Sequence, residues 1–258
     1  MNSATPILSC RGLALAVPGR TLCRDVAFDV RAGECWVIVG PNGAGKTTLL
    51  QTLAGLRQPA AGSIMLAGER IIDYAPRARA QRLGFLPQDT FDAFPATALE
   101  IALGGRHPHI LRWHPESADD LTLARKALAD VGMDEASTRD VQTLSGGERR
   151  RVALAMLLAQ DPEVMLLDEP TNHLDVAHEV HALELLSRLA RERGRAVVMS
   201  LHDLTLAARY ATHAVLMGSA HVEAGAAGEL LNAEQLSALF GQELVAVTHP
   251  RGAAFLPA

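Results

Sequence analysis

Hydrophobic positions along this chain fall into short unbroken runs, separated by longer stretches in which they recur at helical spacing. Residues 7 to 39 carry β-type runs broken at Pro18-Gly19 and Ala32-Gly33. The last of them, Cys35-Trp36-Val37-Ile38-Val39, is apolar at every position. A Gly-rich loop over Gly40 to Thr48 follows, and Thr48 to Leu56 has the apolar spacing of a helix stopped near Gly55. Ala98 to Leu103 and Asp119 to Val131 read as helices, and a long helix starts after Gly147 and runs to about Gln160. Two further apolar strands, Val164 to Leu167 and Ala196 to Ser200, flank a charged amphipathic helix over about Val176 to Glu192. Strands that are apolar throughout need cover on both faces, so this alternation predicts an α/β fold with a mostly parallel sheet between helices. The last third is rich in Ala, the best helix former. No internal repeat interrupts the chain, and one domain over 1–258 is expected.

Composition narrows the class. With 258 residues, 48% hydrophobic and 21% charged, the chain has the make-up of a globular protein with a large core. Its longest near-continuous apolar stretches, Val152 to Ala159 and Val164 to Leu167, fall well short of the roughly 20 residues that cross a bilayer. The N-terminal MNSATPILSCRG has no basic residue before Arg11 and no apolar run of signal-peptide length, so a cytoplasmic location is expected. Cys10, Cys23 and Cys35 lack metal-type spacing and read as reduced thiols in or near strands. A net charge of −5 and only 4% aromatics argue against nucleic-acid binding through bulk positive charge.

Three segments carry chemistry. Gly40-Pro41-Asn42-Gly43-Ala44-Gly45-Lys46-Thr47 fits the phosphate-loop pattern G-x-x-x-x-G-K-[ST] between a strand and a helix. Such a loop curls main-chain N–H groups around a polyphosphate, points a helix N-terminus at it, brings Lys46 to the outer phosphates and lets Thr47 ligate Mg2+. Val164-Met165-Leu166-Leu167-Asp168-Glu169 delivers two carboxylates at a strand's C-terminal end, Asp168 for the Mg2+ shell and Glu169 to polarise the attacking water. Leu144-Ser145-Gly146-Gly147-Glu148 opens the long helix. It reads either as a plain helix cap or as a second anion site, one that closes over a nucleotide held by another copy of the chain.

Taken together, these residues resemble the ATP-binding-cassette ATPases, from about Leu13 to the tail. That family orders a phosphate loop, a glutamine, an S-G-G signature, an acidic strand end and a histidine. Here these are Gly40 to Thr48, Gln88, Leu144 to Glu148, Leu167 to Glu169 and His202. The resemblance implies a P-loop NTPase (RecA-like) core with an N-terminal antiparallel β subdomain and a helical subdomain inserted at about 89–160. It implies ATP and Mg2+ as ligands, with Thr47, Gln88 and Asp168 about the metal and Thr48 within the phosphate cradle. Glu169, Gln88 and His202 would be catalytic, His202 at the γ-phosphate. Ser145, Gly146 and Gly147 would cap the nucleotide of a homodimeric partner, and Asp175 would couple the two sites. Two departures stand out. No aromatic is present near Val17 to stack on adenine, so weak base recognition is expected, and Glu148 stands where glutamine is common, placing a negative charge near the facing triphosphate.

Within the family, the segment from Phe94-Pro95 to His109, together with the tail Gly228-Glu229-Leu230-Leu231 and Leu239-Phe240-Gly241, resembles ATPases of haem, iron-siderophore and cobalamin importers. That implies a peripheral subunit on the cytoplasmic face of the inner membrane. It would contact a polytopic permease through residues near 89–114, with Arg106 and His107 on the coupling surface, and serve a periplasmic substrate-binding protein indirectly. Haem is the first expectation for cargo, and ferric siderophore or cobalamin the next. His107, His109 and His114 are not expected to ligate haem or a metal, since a cytoplasmic ATPase need never touch the cargo, and His178 and His181 are expected on a solvated face. The alternative is a soluble ATPase of this type acting on nucleic acid or a protein machine.

Overall fold

The computed structural model describes residues 5–88, 95–110, 114–218, 221–249 and 252–258. The chain begins with β1 (Leu8–Val17) and β2 (Arg20–Val30), an antiparallel pair turned at Pro18-Gly19, where Gly19 takes the positive φ that the turn needs. The apolar strand β3 (Cys35–Val39) leads into α1 (Lys46–Leu53). Then come β4 (Ala61–Leu66), the short β5 (Glu69–Arg70), α2 (Pro76–Arg82) and β6 (Leu83–Leu86). Three helices follow: α3 (Ala98–Gly104), α4 (Ala118–Asp130) and α5 (Gly146–Gln160). The remainder alternates as β7 (Val164–Leu167), α6 (Val176–Arg193), β8 (Ala196–Ser200), α7 (Leu204–Tyr210), β9 (His213–Met217) and β10 (Val222–Ala226). It ends with α8 (Ala227–Leu230), α9 (Ala233–Phe240) and the hairpin β11 (Leu244–His249) and β12 (Gly252–Pro257).

The central sheet has the order β10-β9-β3-β8-β7-β6, parallel from β9 to β6 with β10 antiparallel at one edge. An antiparallel sheet, β2-β1-β4-β5, forms a separate layer. Side-chain alternation across the central sheet explains why its strands read as unbroken apolar runs. Cys35, Val37, Val39, Met165, Leu167, Val197 and Met199 join a core with helices α3 to α7, whereas Trp36, Ile38, Val164, Leu166, Ala196 and Val198 join a second core with α1 and the antiparallel layer. The three cysteines lie in β1, β2 and β3, buried and unpaired; burial pushes the Cys10 and Cys35 thiols up to about 12, which makes them inert.

Expected boundaries shift for local reasons. α1 starts at Lys46, two residues ahead of the apolar run, and stops at Leu53 ahead of Gly55, whose positive φ terminates it. Helices α3, α4 and α5 each open on a capping box, from Thr97 with Glu100, Ser117 with Asp120 and Ser145 with Glu148. The Ala-rich tail is not uniformly helical, because β9, β10 and the terminal hairpin supply strands. Among the described residues no helix is long and apolar enough to cross a membrane.

Candidate functional site

The loop between β3 and α1 is built by glycine. A side chain at Gly40 would drive into the Met217 carbonyl at 2.2 Å, so β9 and the loop can approach only without a Cβ there. Gly43 and Gly45 take φ values of 76° and 106°, turning the main chain back toward the α1 N-terminus. Lys46, 7% exposed, reaches across this arch and donates from Nζ to the Gly40 carbonyl at 2.8 Å and the Pro41 carbonyl at 3.3 Å. Burial lowers its pKa from the usual lysine value, and the nearby Glu169 and Asp168 carboxylates work in the opposite sense.

The acidic pair stands at the C-terminal end of β7. Asp168 is 1% exposed; its Oδ1 accepts from the Ser200 hydroxyl at 2.7 Å, while its Oδ2 is buried with no hydrogen-bond partner among the described residues. A buried acceptor left unpaired costs about 1–3 kcal/mol, and a hydrated cation would satisfy it. Together with the Thr47 hydroxyl and the Gln88 amide oxygen this is an all-oxygen donor set, which fits Mg2+. Glu169 sits at φ 48°, a left-handed conformation that costs a non-glycine residue of order 1 kcal/mol and is retained where the surroundings dictate it. Those surroundings are visible. The Glu169 N–H donates to Ser200 Oγ at 2.8 Å, Gln88 Nε2 donates to its Oε2 at 3.0 Å, and His202 Nε2 lies 2.6 Å from its Oε1.

Of these, Lys46, Thr47, Gln88, Glu169 and His202 share one cleft of about 520 Å³ with Asn42, Gly43, Gly45 and Thr48, and Val17, Arg20 and Leu22 also line it; Asp168 is not among the lining residues. Val17, Arg20 and Leu22 are aliphatic or cationic, and none of the three carries a ring. Pro41 contributes its carbonyl to Lys46, and Ala44 is buried in the core beneath the loop.

Ser145, Gly146 and Gly147 lie elsewhere, in a second cleft of about 460 Å³ with Glu148, Arg151, His173, Asp175 and His178. The two clefts have no lining residue in common. A Cβ on Gly147 would come within 2.9 Å of the His173 carbonyl, so glycine is required to seat the helix start there. Ser145 is a true cap, its Oγ accepting from the Glu148 N–H at 3.2 Å. Glu148 does not project bare charge into this cleft: it accepts from the Ser145 N–H at 2.7 Å and from Arg139 at 3.0 Å. Asp175 caps α6 and holds His178 Nδ1 at 2.8 Å.

Two buried residues that the sequence did not single out bond the groups of the first cleft from outside its lining. Ser200, fully buried at the end of β8, bonds both members of the acidic pair. Arg150 on α5, 1% exposed, donates to main-chain carbonyls around both Gln88 and Glu169.

The chain matches the family model described as ABC transporter over residues 23–172. It is 40% identical over 253 residues to a hemin import ATP-binding protein of Gloeobacter violaceus, covering 95% of this chain and 91% of that protein. It is 39% identical to a cobalamin import ATP-binding protein of Halobacterium salinarum over 94% of this chain but only 61% of that longer protein's length. Among solved structures, a putative metal-chelate type ABC transporter in an inward-facing conformation superposes with a TM-score of 0.85 at 28% identity, covering 98% and 97% of the two chains.

Proposed function

The chain belongs to the ABC transporter family, and from that premise we propose that it is the ATP-hydrolysing subunit of an importer for a metal chelate, with haem first among the cargoes and ferric siderophore or cobalamin next. The observation that carries the reading is the cleft in which Lys46, Thr47, Gln88, Glu169 and His202 converge on the space in front of the loop. Loop amides and Lys46 bind the triphosphate. Bound Mg2+, held by Thr47, Gln88 and Asp168, would supply charge neutralisation at the phosphates. Glu169 orients and polarises water, and Gln88 and His202, which both bond Glu169 here, are the groups for which an incoming γ-phosphate competes.

Each chain carries one loop cleft and one separate Ser145–Gly147 cleft, so a head-to-tail homodimer places each nucleotide between the two kinds of surface. Closure on ATP and opening after hydrolysis then become the mechanical states of the transporter. The aliphatic lining at Val17 and Leu22 supports weak discrimination of the base. Residues at about 89–160 form the helical subdomain in this reading, and the subunit sits peripherally on the cytoplasmic face of the membrane. A periplasmic binding protein would act on it only through the permease.

The permease contact expected near 89–114 falls partly on 89–94 and 111–113, outside the described residues. Within the rest, Arg106 faces inward: its Nε donates to Asp120 at 2.8 Å and its Nη1 to the Ala159 carbonyl at 2.8 Å, with both side chains of the ion pair near 12% exposed at 11% and 13%. Ser117 and then Arg106 hold the Asp120 carboxyl at about 2. A carboxyl depressed from its unfolded value near 3.9 contributes stability above that pH and loses it as pH falls toward 2, so at neutral pH the contribution is complete. Arg106→Ala is therefore expected to lower stability by about 2 kcal/mol, or about 4–8 °C in Tm, rather than to act as a clean coupling variant. His107 is exposed and remains the coupling candidate.

Co-expression with the permease and affinity purification of the assembly tests the reading. Membrane-bound recovery together with the permease, and loss of uptake but not of ATPase activity in His107→Glu, is the expected result. A chain that stays soluble without a membrane partner favours the soluble-ATPase alternative.

A further inference from the structure

Arg150 has no part in the phosphate contacts described above, yet it is among the largest fully buried side chains of the described residues. It projects from the second turn of α5, the helix that Ser145 caps. Its guanidinium donates from Nη1 to the carbonyls of Pro87 at 2.6 Å and Gln88 at 3.1 Å. It donates from Nη2 to those of Asp168 at 2.5 Å and Glu169 at 2.7 Å, and from Nε to that of Pro170 at 3.2 Å. One planar cation thus spans the main chain just beyond the ends of two adjacent parallel strands, β6 and β7. Removing a guanidinium from water is costly, and carbonyl acceptors at strand ends, which have run out of ladder partners, are the groups that offset it.

The geometry points to Arg150 as a positioning residue for hydrolysis, one that sets Gln88 against Glu169 and couples both to the Ser145–Gly147 surface. This assignment rests on the ATPase reading above. The Gln88 and Glu169 side chains meet at 3.0 Å, and both of their carbonyls are held by Arg150, so their separation is referred to one rigid group. Any rotation of α5 that follows contact at Ser145–Gly147 is carried through Arg150 to the strand ends. Lys46 and the loop glycines lie outside this link. Arg150 therefore governs the rate of the chemical step and leaves nucleotide capture to the loop.

The test uses the purified full-length chain with MgATP, comparing Arg150→Lys and Arg150→Gln with the natural protein by kcat, KM, the Kd of a fluorescent ATP analogue, and thermal unfolding. Lysine keeps the charge but has no fork to span both strand ends, and glutamine keeps a planar donor without the charge. The expected result is a kcat at least 10-fold lower in Arg150→Lys, with smaller loss in Arg150→Gln, while KM and Kd stay within threefold. Folded variants that hydrolyse at the natural rate despite a lower Tm would assign Arg150 to stability alone and overturn the inference. So would a Kd that weakens in step with kcat. Glu169→Gln run in parallel separates the two levels. An inactive Glu169→Gln beside a fully active Arg150→Lys contradicts only the Arg150 assignment. Equal rates in the natural protein and Glu169→Gln contradict the ATPase reading and the assignment with it.

Discussion

Glu169→Gln is expected to reduce steady-state ATP turnover by about 100-fold or more while ATP binding is retained. The amide has the shape of the carboxylate and can still accept one of the bonds that Gln88 and His202 now make, so the left-handed turn at Glu169 and its N–H bond to Ser200 persist. What disappears is the negative charge that polarises water. A loss of this size corresponds to about 2.7 kcal/mol of transition-state stabilisation. Nucleotide capture belongs to Lys46 and the loop amides, which the substitution leaves in place. Phosphate release under saturating MgATP measures the effect, and turnover within threefold of the natural protein would remove Glu169 from the mechanism.

Lys46→Ala has the opposite profile. The ammonium is almost fully buried in the arch, close enough to Glu169 and Asp168 for their charges to counter the effect of burial on its pKa. In the described structure it bonds only the loop's own carbonyls, which makes it free to turn to an anion that enters the cleft. A charge-assisted hydrogen bond contributes about 1.5–3 kcal/mol, so its loss is expected to weaken ATP binding by about 10- to 150-fold. Calorimetric titration reads this directly. An unaltered ATP affinity in a folded Lys46→Ala protein would contradict the assignment of the loop.

Much of this architecture was legible because burial on both sheet faces leaves an unmistakable trace. β7 and β8 fall on the residues expected, since every position in Val164–Leu167 and Ala196–Ser200 is buried and all but the terminal Ser200 are apolar. Elements that bury one face, or almost none, left weaker signals: α2 has no buried residue, and β10 is built of Val222-Glu223-Ala224-Gly225-Ala226, a sequence that helix propensity would assign otherwise. In the site, residues at fixed spacings within a motif were readable, from Gly40 to Thr48 and at Asp168 and Glu169. Arg150 was not. It stands within Glu148-Arg149-Arg150-Arg151, where each guanidinium reads as an exposed charge on a helix. Only the crossing of α5 over the ends of β6 and β7 separates the buried one from its neighbours. Ser200 was hidden for the converse reason, as the small final residue of an apolar strand. Arg106, expected on the coupling surface, is instead committed to Asp120, a long-range pairing that local sequence does not encode.

The central claim is that one chain cradles the triphosphate while a second chain completes its enclosure. A crystal structure with MgATP bound to Glu169→Gln tests this most directly. The expected density has two nucleotides per dimer, each with its β- and γ-phosphates against Lys46 and the 43–48 main chain of one protomer and against Ser145–Gly147 of the other. Nucleotide bound away from Lys46, or fully enclosed by one chain with Ser145–Gly147 left facing solvent, would contradict it.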